Sequence, residues 1–170
     1  MKTFNLLVSG GLILIVSALL MTSCQREVDI ESAKKEIAET LDKYNSVFEH
    51  SPRDIEALLQ FLTDDPQPVI IGSTEAERFI GKAPLREAFE KAKDEAKEMS
   101  FKIISKDRII NIAETGNVAW YSEMQDIVIY MPHDTLNIQG GRATGVLVKQ
   151  DGKWLIVQGH YSFPEKMEQL

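Results

Sequence analysis

A chain of 170 residues with 26 acidic and 19 basic side chains carries a net charge of −7 at pH 7. That balance removes the electrostatic case for nucleic acid, whose phosphates demand clustered Lys and Arg, and for adhesion to anionic lipid through the protein's own surface. A single cysteine excludes an internal disulfide, and the length suits one domain with one sizeable core.

The first residues have the order that export requires. Lys2 gives a positive start, Leu6 to Leu20 form an apolar run without a charge, and Met21-Thr22-Ser23-Cys24 is a small-residue cleavage site. The run is shorter than the roughly 20 apolar residues of a comfortable permanent span. Charged sequence (Arg26, Glu27, Asp29, Glu31) follows at once. Residues 1–23 therefore read as an export signal, residues 24–29 as a short polar tether, residues 30–164 as the folded domain and residues 165–170 as a tail. The string Leu19-Leu20-Met21-Thr22-Ser23-Cys24 resembles the bacterial lipobox, in which the cysteine is acylated and becomes residue one; Met21 stands where Leu is commoner. Ordinary secretion with a free terminal thiol is the alternative. Lipidation of Cys24 would account for the lone cysteine and would anchor the protein in the cell envelope. Gln25 is not the aspartate that often retains lipoproteins at the inner membrane, so outer-membrane placement is the expectation.

Helical periodicity comes first along the domain. Ile30, Ala33, Ile37, Leu41, Tyr44 and Phe48 recur at the three-and-four spacing of one buried stripe. Ser51-Pro52 reads as an N-cap followed by proline at the first helical position, opening a helix with Ile55, Leu58, Leu59 and Leu62. The run Asp64-Asp65-Pro66-Gln67-Pro68 ends it, and its two aspartates read as turn formers. Val69-Ile70-Ile71 is a short strand. A third helix starts near Ala83-Pro84 and shows Leu85, Ala88, Phe89, Ala92 and Ala96, with Asp94-Glu95 on its wet side.

After Ser100, four stretches rich in β-branched and aromatic residues alternate with turn signals: 101–112, 118–130, 136–149 and 154–163. Asp151-Gly152 in the last turn favours a tight hairpin, because both residues tolerate positive φ. Helices segregated before an antiparallel meander indicate an α+β fold, with three N-terminal helices packed on one face of a curved, mostly antiparallel sheet.

This order, with several local strings, resembles the SnoaL-like group of the nuclear transport factor 2-like superfamily. Ile71-Gly72-Ser73 leading through Phe79-Ile80-Gly81-Lys82 is similar to the family's segment between its first strand and third helix. Val118-Ala119-Trp120-Tyr121 resembles its "AW" strand. Arg142 to Lys149, Asp151-Gly152-Lys153-Trp154 and His160-Tyr161-Ser162-Phe163-Pro164 resemble its last hairpin. The resemblance implies a cystatin-like cone with a pocket at its open end, homodimers through the outer sheet face, and members that include isomerases, dehydratases, cyclases and proteins with only a binding role. Fold alone supplies no reaction.

Side chains alternate faces along a strand. Trp120, Ser122 and Met124 share one face of their strand, Arg142, Thr144 and Val146 one of theirs, and Trp154, Ile156, Gln158, His160 and Ser162 one of the last. The resemblance suggests that these faces look into the cone, so the expected pocket is Trp120, Arg142, Thr144, His160 and Ser162, with Phe79 as a lid. Tyr121 and Phe163 fall on the opposite parity and are expected at the dimer face. His160 is the candidate for proton transfer, since imidazole titrates near neutrality, or else a histidine that hydrogen-bonds and shapes the pocket. Arg142 is a candidate fork for an anionic group or the partner of Glu123 or Asp126. Trp120 and Trp154 either stack on a flat ligand or fill the core. Three histidines far apart show no metal-ligand spacing, and no phosphate loop, dinucleotide fingerprint or nucleophile elbow occurs, so neither a metal nor a cofactor is expected.

Three readings follow: a tethered binder of a small, partly apolar ligand; an acid–base enzyme using His160 and Arg142; or a structural dimerisation module whose cavity is filled by its own side chains.

Overall fold

The computed structural model describes residues 29–49 and 54–164. The export signal, Cys24, Gln25, His50, Ser51-Pro52 and the tail 165–170 lie outside the described residues, as do the side chains of Glu95 and Ala96. Helix α1 spans Ile30–Ser46 and runs into a 3-10 turn at Val47–Glu49. Asp29 caps it by accepting from Ser32 N, and its buried stripe is Ala33, Ile37, Leu41 and Tyr44. The second helix, α2, is a single short piece, Ile55–Leu59, capped by the Asp54 side chain. Strands β1 (Val69–Ile71) and β2 (Arg78–Ile80) precede helix α3, Lys82–Ala96. The long strands are β3 (Ser100–Ile112), β4 (Val118–Tyr130), β5 (Thr135–Gln150) and β6 (Lys153–Ser162).

These strands form one sheet in the order β2-β1-β6-β5-β4-β3. Every pairing is antiparallel except β1 on β6. The β5–β6 hairpin turns through Asp151 at φ 49° and Gly152 at φ 79°, the positive pair expected of the Asp-Gly signal. The stretch around Phe79, expected as a linking segment, is a strand of its own that hydrogen-bonds to β1.

Each pair among the long strands is interrupted once. Asp107 and Arg108 together oppose Glu123 across β3–β4, Gln139 and Gly140 oppose Asp126 across β4–β5, and Val157 is an extra residue of β6 against β5. Such bulges bend a sheet and increase its twist, and here they wrap it around α1. The core lies in that hollow, where Ile37, Leu41, Leu58 and Leu62 meet Ala119, Ala143, Leu147, Trp154 and Ile156. Lys149 Nζ on β5 pairs with Glu36 of α1 at 2.7 Å and lies 5.5 Å over the Trp154 ring, pinning helix to sheet at the closed end. That contact holds the Glu36 carboxyl below its ordinary range.

The inward faces differ from those expected. Ala119, Tyr121, Glu123 and Gln125 of β4 and Gly141, Ala143, Gly145 and Leu147 of β5 are buried, while Trp120, Ser122, Met124, Arg142 and Thr144 are exposed. Small residues occupy the inner face because large ones reach it from elsewhere. A Cβ added at Gly145 would stand 2.6 Å from Tyr121 Cε1 and 2.5 Å from the Gln158 carbonyl oxygen. In β6 the expected parity holds for Trp154 and Ile156. The bulge at Val157 then inverts it, so that Gly159 is buried and His160 is exposed. Tyr121, expected at a dimer face, is a core residue at 4% exposure.

Gly145→Ala should therefore destabilise the domain by about 1–3 kcal/mol, the range for forcing extra volume into a packed core. Urea unfolding followed by circular dichroism measures this, and an unchanged midpoint would show that Tyr121 has room to move.

Candidate functional site

The bulge in β3 decides what sits at the heart of the molecule. Uninterrupted alternation from Phe101, Ile103 and Ser105 would bring Asp107 inward. The extra residue places Asp107 outside at φ 50° and turns Arg108 toward Glu123. Arg108 Nε donates to Glu123 Oε2, its Nη1 lies 2.8 Å from Asp42 Oδ1 and 3.2 Å from the Ala38 carbonyl oxygen, and its Nη2 is 3.1 Å from Ser105 Oγ. The Glu123 side chain is 1% exposed and that of Arg108 14%. Burial works against the guanidinium charge, but the carboxylates of Glu123 and Asp42 outweigh it and raise the Arg108 pKa. Two carboxamides complete the cluster, Gln125 Nε2 donating to Glu123 Oε1 at 2.6 Å and Asn45 Nδ2 to the same oxygen at 3.4 Å.

Beyond this cluster the hollow is open. A pocket of about 410 Å³ lies between α1, α2, α3 and the inner face of the sheet. Phe48, Phe79, Phe89 and Phe101 line its sides, with Ile103 and Ile127 from the sheet and Leu58 and Leu85 from the helices. The aromatic wall is continuous: Tyr44 meets Phe48 edge-on at 5.7 Å between ring centroids, and Phe48 meets Phe89 at 6.2 Å. Asn45 and Gln125 form the polar end, so the buried charge cluster stands directly behind the pocket.

Tyr44 and Tyr161 also border the pocket. The Tyr161 hydroxyl lies against those of Tyr44 and Tyr121 and is buried without a hydrogen bond of ordinary geometry. Burial pushes the pKa of all three phenols upward, with Tyr44 and Tyr121 adding to the effect at Tyr161, and Tyr44 and the Glu123 carboxylate adding to it at Tyr121. They are therefore neutral groups that can donate or accept, not bases.

The six residues expected at the pocket divide evenly. Phe79, Arg142 and Ser162 border it. Trp120, Thr144 and His160 are exposed on the outer face, where Thr144 stands opposite His160 in the β5–β6 register. Arg142 pairs with neither Glu123 nor Asp126. Its Nη2 donates to the Phe163 carbonyl oxygen at 2.8 Å, while Glu123 takes Arg108 and Asp126 takes Lys106. Trp154 is core, at 3% exposure. Phe163 lies at the pocket rim, not at a separate face. The residues that sequence reasoning passed over are Arg108, Asp42, Asn45, Ser105 and Gln125. The signal that could have found Gln125 is the series Tyr121, Glu123, Gln125 on the parity shared with Ala119, since small neighbours mark an inner face.

Residues 37–166 match the sequence profile of the SnoaL-like domain. The chain belongs to the SnoaL-like domain family. Its fold recurs in a nuclear transport factor 2-like protein of unknown function from Pseudomonas putida KT2440, at 20% identity and a TM-score of 0.64, covering 81% of this chain and 91% of that one. A protein of unknown function with a cystatin-like fold from Nostoc punctiforme PCC 73102 matches at 20% identity and a TM-score of 0.61, over 81% and 95%. At such identities the likeness shows the fold alone. No curated protein matches the chain.

In this SnoaL-like domain, Arg108→Met removes the counter-charge from a buried carboxylate and should cost about 3–5 kcal/mol. Asp42→Asn, at the exposed end of the same network, should cost less than about 1 kcal/mol. Paired urea titrations check the contrast; equal losses would contradict the assignment of Glu123 as the group Arg108 serves.

Proposed function

We propose that this SnoaL-like protein is a membrane-tethered binder of a small, mostly apolar molecule held in the cone. The observation that carries this reading is the open, aromatic-walled pocket. Its volume of about 410 Å³ falls within the roughly 300–1,000 Å³ typical of small-molecule sites, and its lining is mainly apolar with a smaller set of polar side chains. A module whose cavity is filled by its own side chains would have no such hollow. The acid–base reading through His160 loses its imidazole, which stands across the sheet from the pocket. The tether rests on the sequence around Cys24.

N-phenyl-1-naphthylamine, which fluoresces in apolar surroundings, should bind the soluble domain at micromolar concentration. Ala88→Phe, which adds a ring to the helical wall of the pocket, should weaken that binding at least about tenfold, a change of roughly 1.4 kcal/mol. His160→Ala should leave it unchanged. Failure of the probe to bind, or equal loss in both variants, would overturn the pocket assignment.

For the tether, Cys24→Ser should convert the full-length chain from a membrane-fraction protein into one that no longer incorporates labelled palmitate. Unaltered partition of the variant would remove the lipid anchor from the proposal.

A further inference from the structure

Two of the polar groups that border the pocket have their orientation fixed from behind. Gln125 Nε2 donates to Glu123 Oε1 at 2.6 Å. Asn45 Nδ2 donates to the same oxygen at 3.4 Å and to Ser105 Oγ at 3.3 Å. An ionised carboxylate has only acceptor lone pairs, so an amide meets it nitrogen first; the reverse orientation would set two acceptors against each other. Glu123 cannot turn away to water, because Arg108 holds it inside the sheet. The groups that Gln125 and Asn45 turn away from Glu123 are therefore their carbonyl oxygens.

We infer that the polar end of the pocket is an acceptor site, selecting ligands that present an O–H or N–H donor on an otherwise apolar frame and disfavouring a carboxylate there. This inference rests on the binding reading above. It differs from the recognition that Arg142 alone suggested, an anionic group held by a guanidinium fork. Of the two cations that border the pocket, Lys93 pairs with Glu90 at 3.4 Å, and Arg142, exposed at the rim, donates through Nη2 to the Phe163 carbonyl oxygen at 2.8 Å. At the inner end the nearest fixed charge is the Glu123 carboxylate, which would repel an anion and favour a donor.

The test uses three probes with one frame, 2-naphthol, 2-methylnaphthalene and 2-naphthoate, competing with N-phenyl-1-naphthylamine at neutral pH. One hydrogen bond to an otherwise unpaired acceptor corresponds to about a tenfold gain. Naphthol should therefore bind the wild-type domain about tenfold more tightly than methylnaphthalene, with naphthoate weakest. Gln125→Met, with its fold checked by circular dichroism, should bring naphthol to within about threefold of methylnaphthalene. The wild-type series decides the matter even if that variant folds poorly. Equal affinities for naphthol and methylnaphthalene, or naphthoate as the tightest ligand, would overturn the acceptor site while leaving a binding pocket in place. Failure of all three probes would remove the binding reading and this inference together.

Discussion

Glu123 is almost wholly sealed inside the sheet, and a carboxylate in that position must be met by a cation and by hydrogen-bond donors, or folding pays a penalty of several kcal/mol. Much of the surrounding structure answers that demand. The cation comes from β3, but only because a bulge rotates Arg108 inward where regular alternation would bring another acid, Asp107. The same guanidinium reaches across to Asp42 and the Ala38 carbonyl of α1, so neutralising the charge also fixes where the first helix lies on the sheet. Ser105, Asn45 and Gln125 then satisfy the remaining valences. A buried charge met on all sides rigidifies its surroundings, and this cluster forms the floor on which the pocket is built, with the carbonyl oxygens of Asn45 and Gln125 left over.

The pocket thus combines two kinds of wall. Its sides are aromatic rings contributed by α1, the 3-10 turn, β2, α3 and β3, among which Tyr44 meets Phe48 edge-on and Phe48 meets Phe89 at a tilt. Its floor is polar and held from behind. The rings make much of the lining apolar, while Asn45 and Gln125 offer a guest polar atoms at the floor. That division is what gives a pocket of this size a preferred orientation for its occupant.

The fold was legible in the sequence to a greater depth than the site. Periodicity in Ile30 to Phe48, the turn signals between the strands and the Asp-Gly pair at 151–152 all correspond to elements of the structure, because each is local chemistry. The inward face of the strands was not legible by simple alternation. Trp120 and His160 look like pocket residues, yet both are outside. In β6 the single extra residue at Val157 exchanges the faces of everything after it, which is why Trp154 and Ile156 follow the expected parity and His160 does not. In β4 and β5 the guide should have been size: Ala119, Ala143 and Gly145 together mark where bulky groups from α1 and from Tyr121 need space. Arg108 could not be found by parity at all, since only the bulge brings it inward.

The position of β6 has a kinetic consequence. The last strand among the described residues is an interior strand of the sheet, flanked by β5 and by β1, a partner more than eighty residues earlier in the sequence. The segment after α2 also leans on it, through Thr63 N to Ile156 O at 3.1 Å and Ile156 N to Phe61 O at 2.8 Å. The β1–β2 pair has nothing to join it to the long strands until β6 exists, and pairings so distant along the chain are slow to form. Closure of that side of the hollow therefore waits for β6, which must find both neighbours across the sheet.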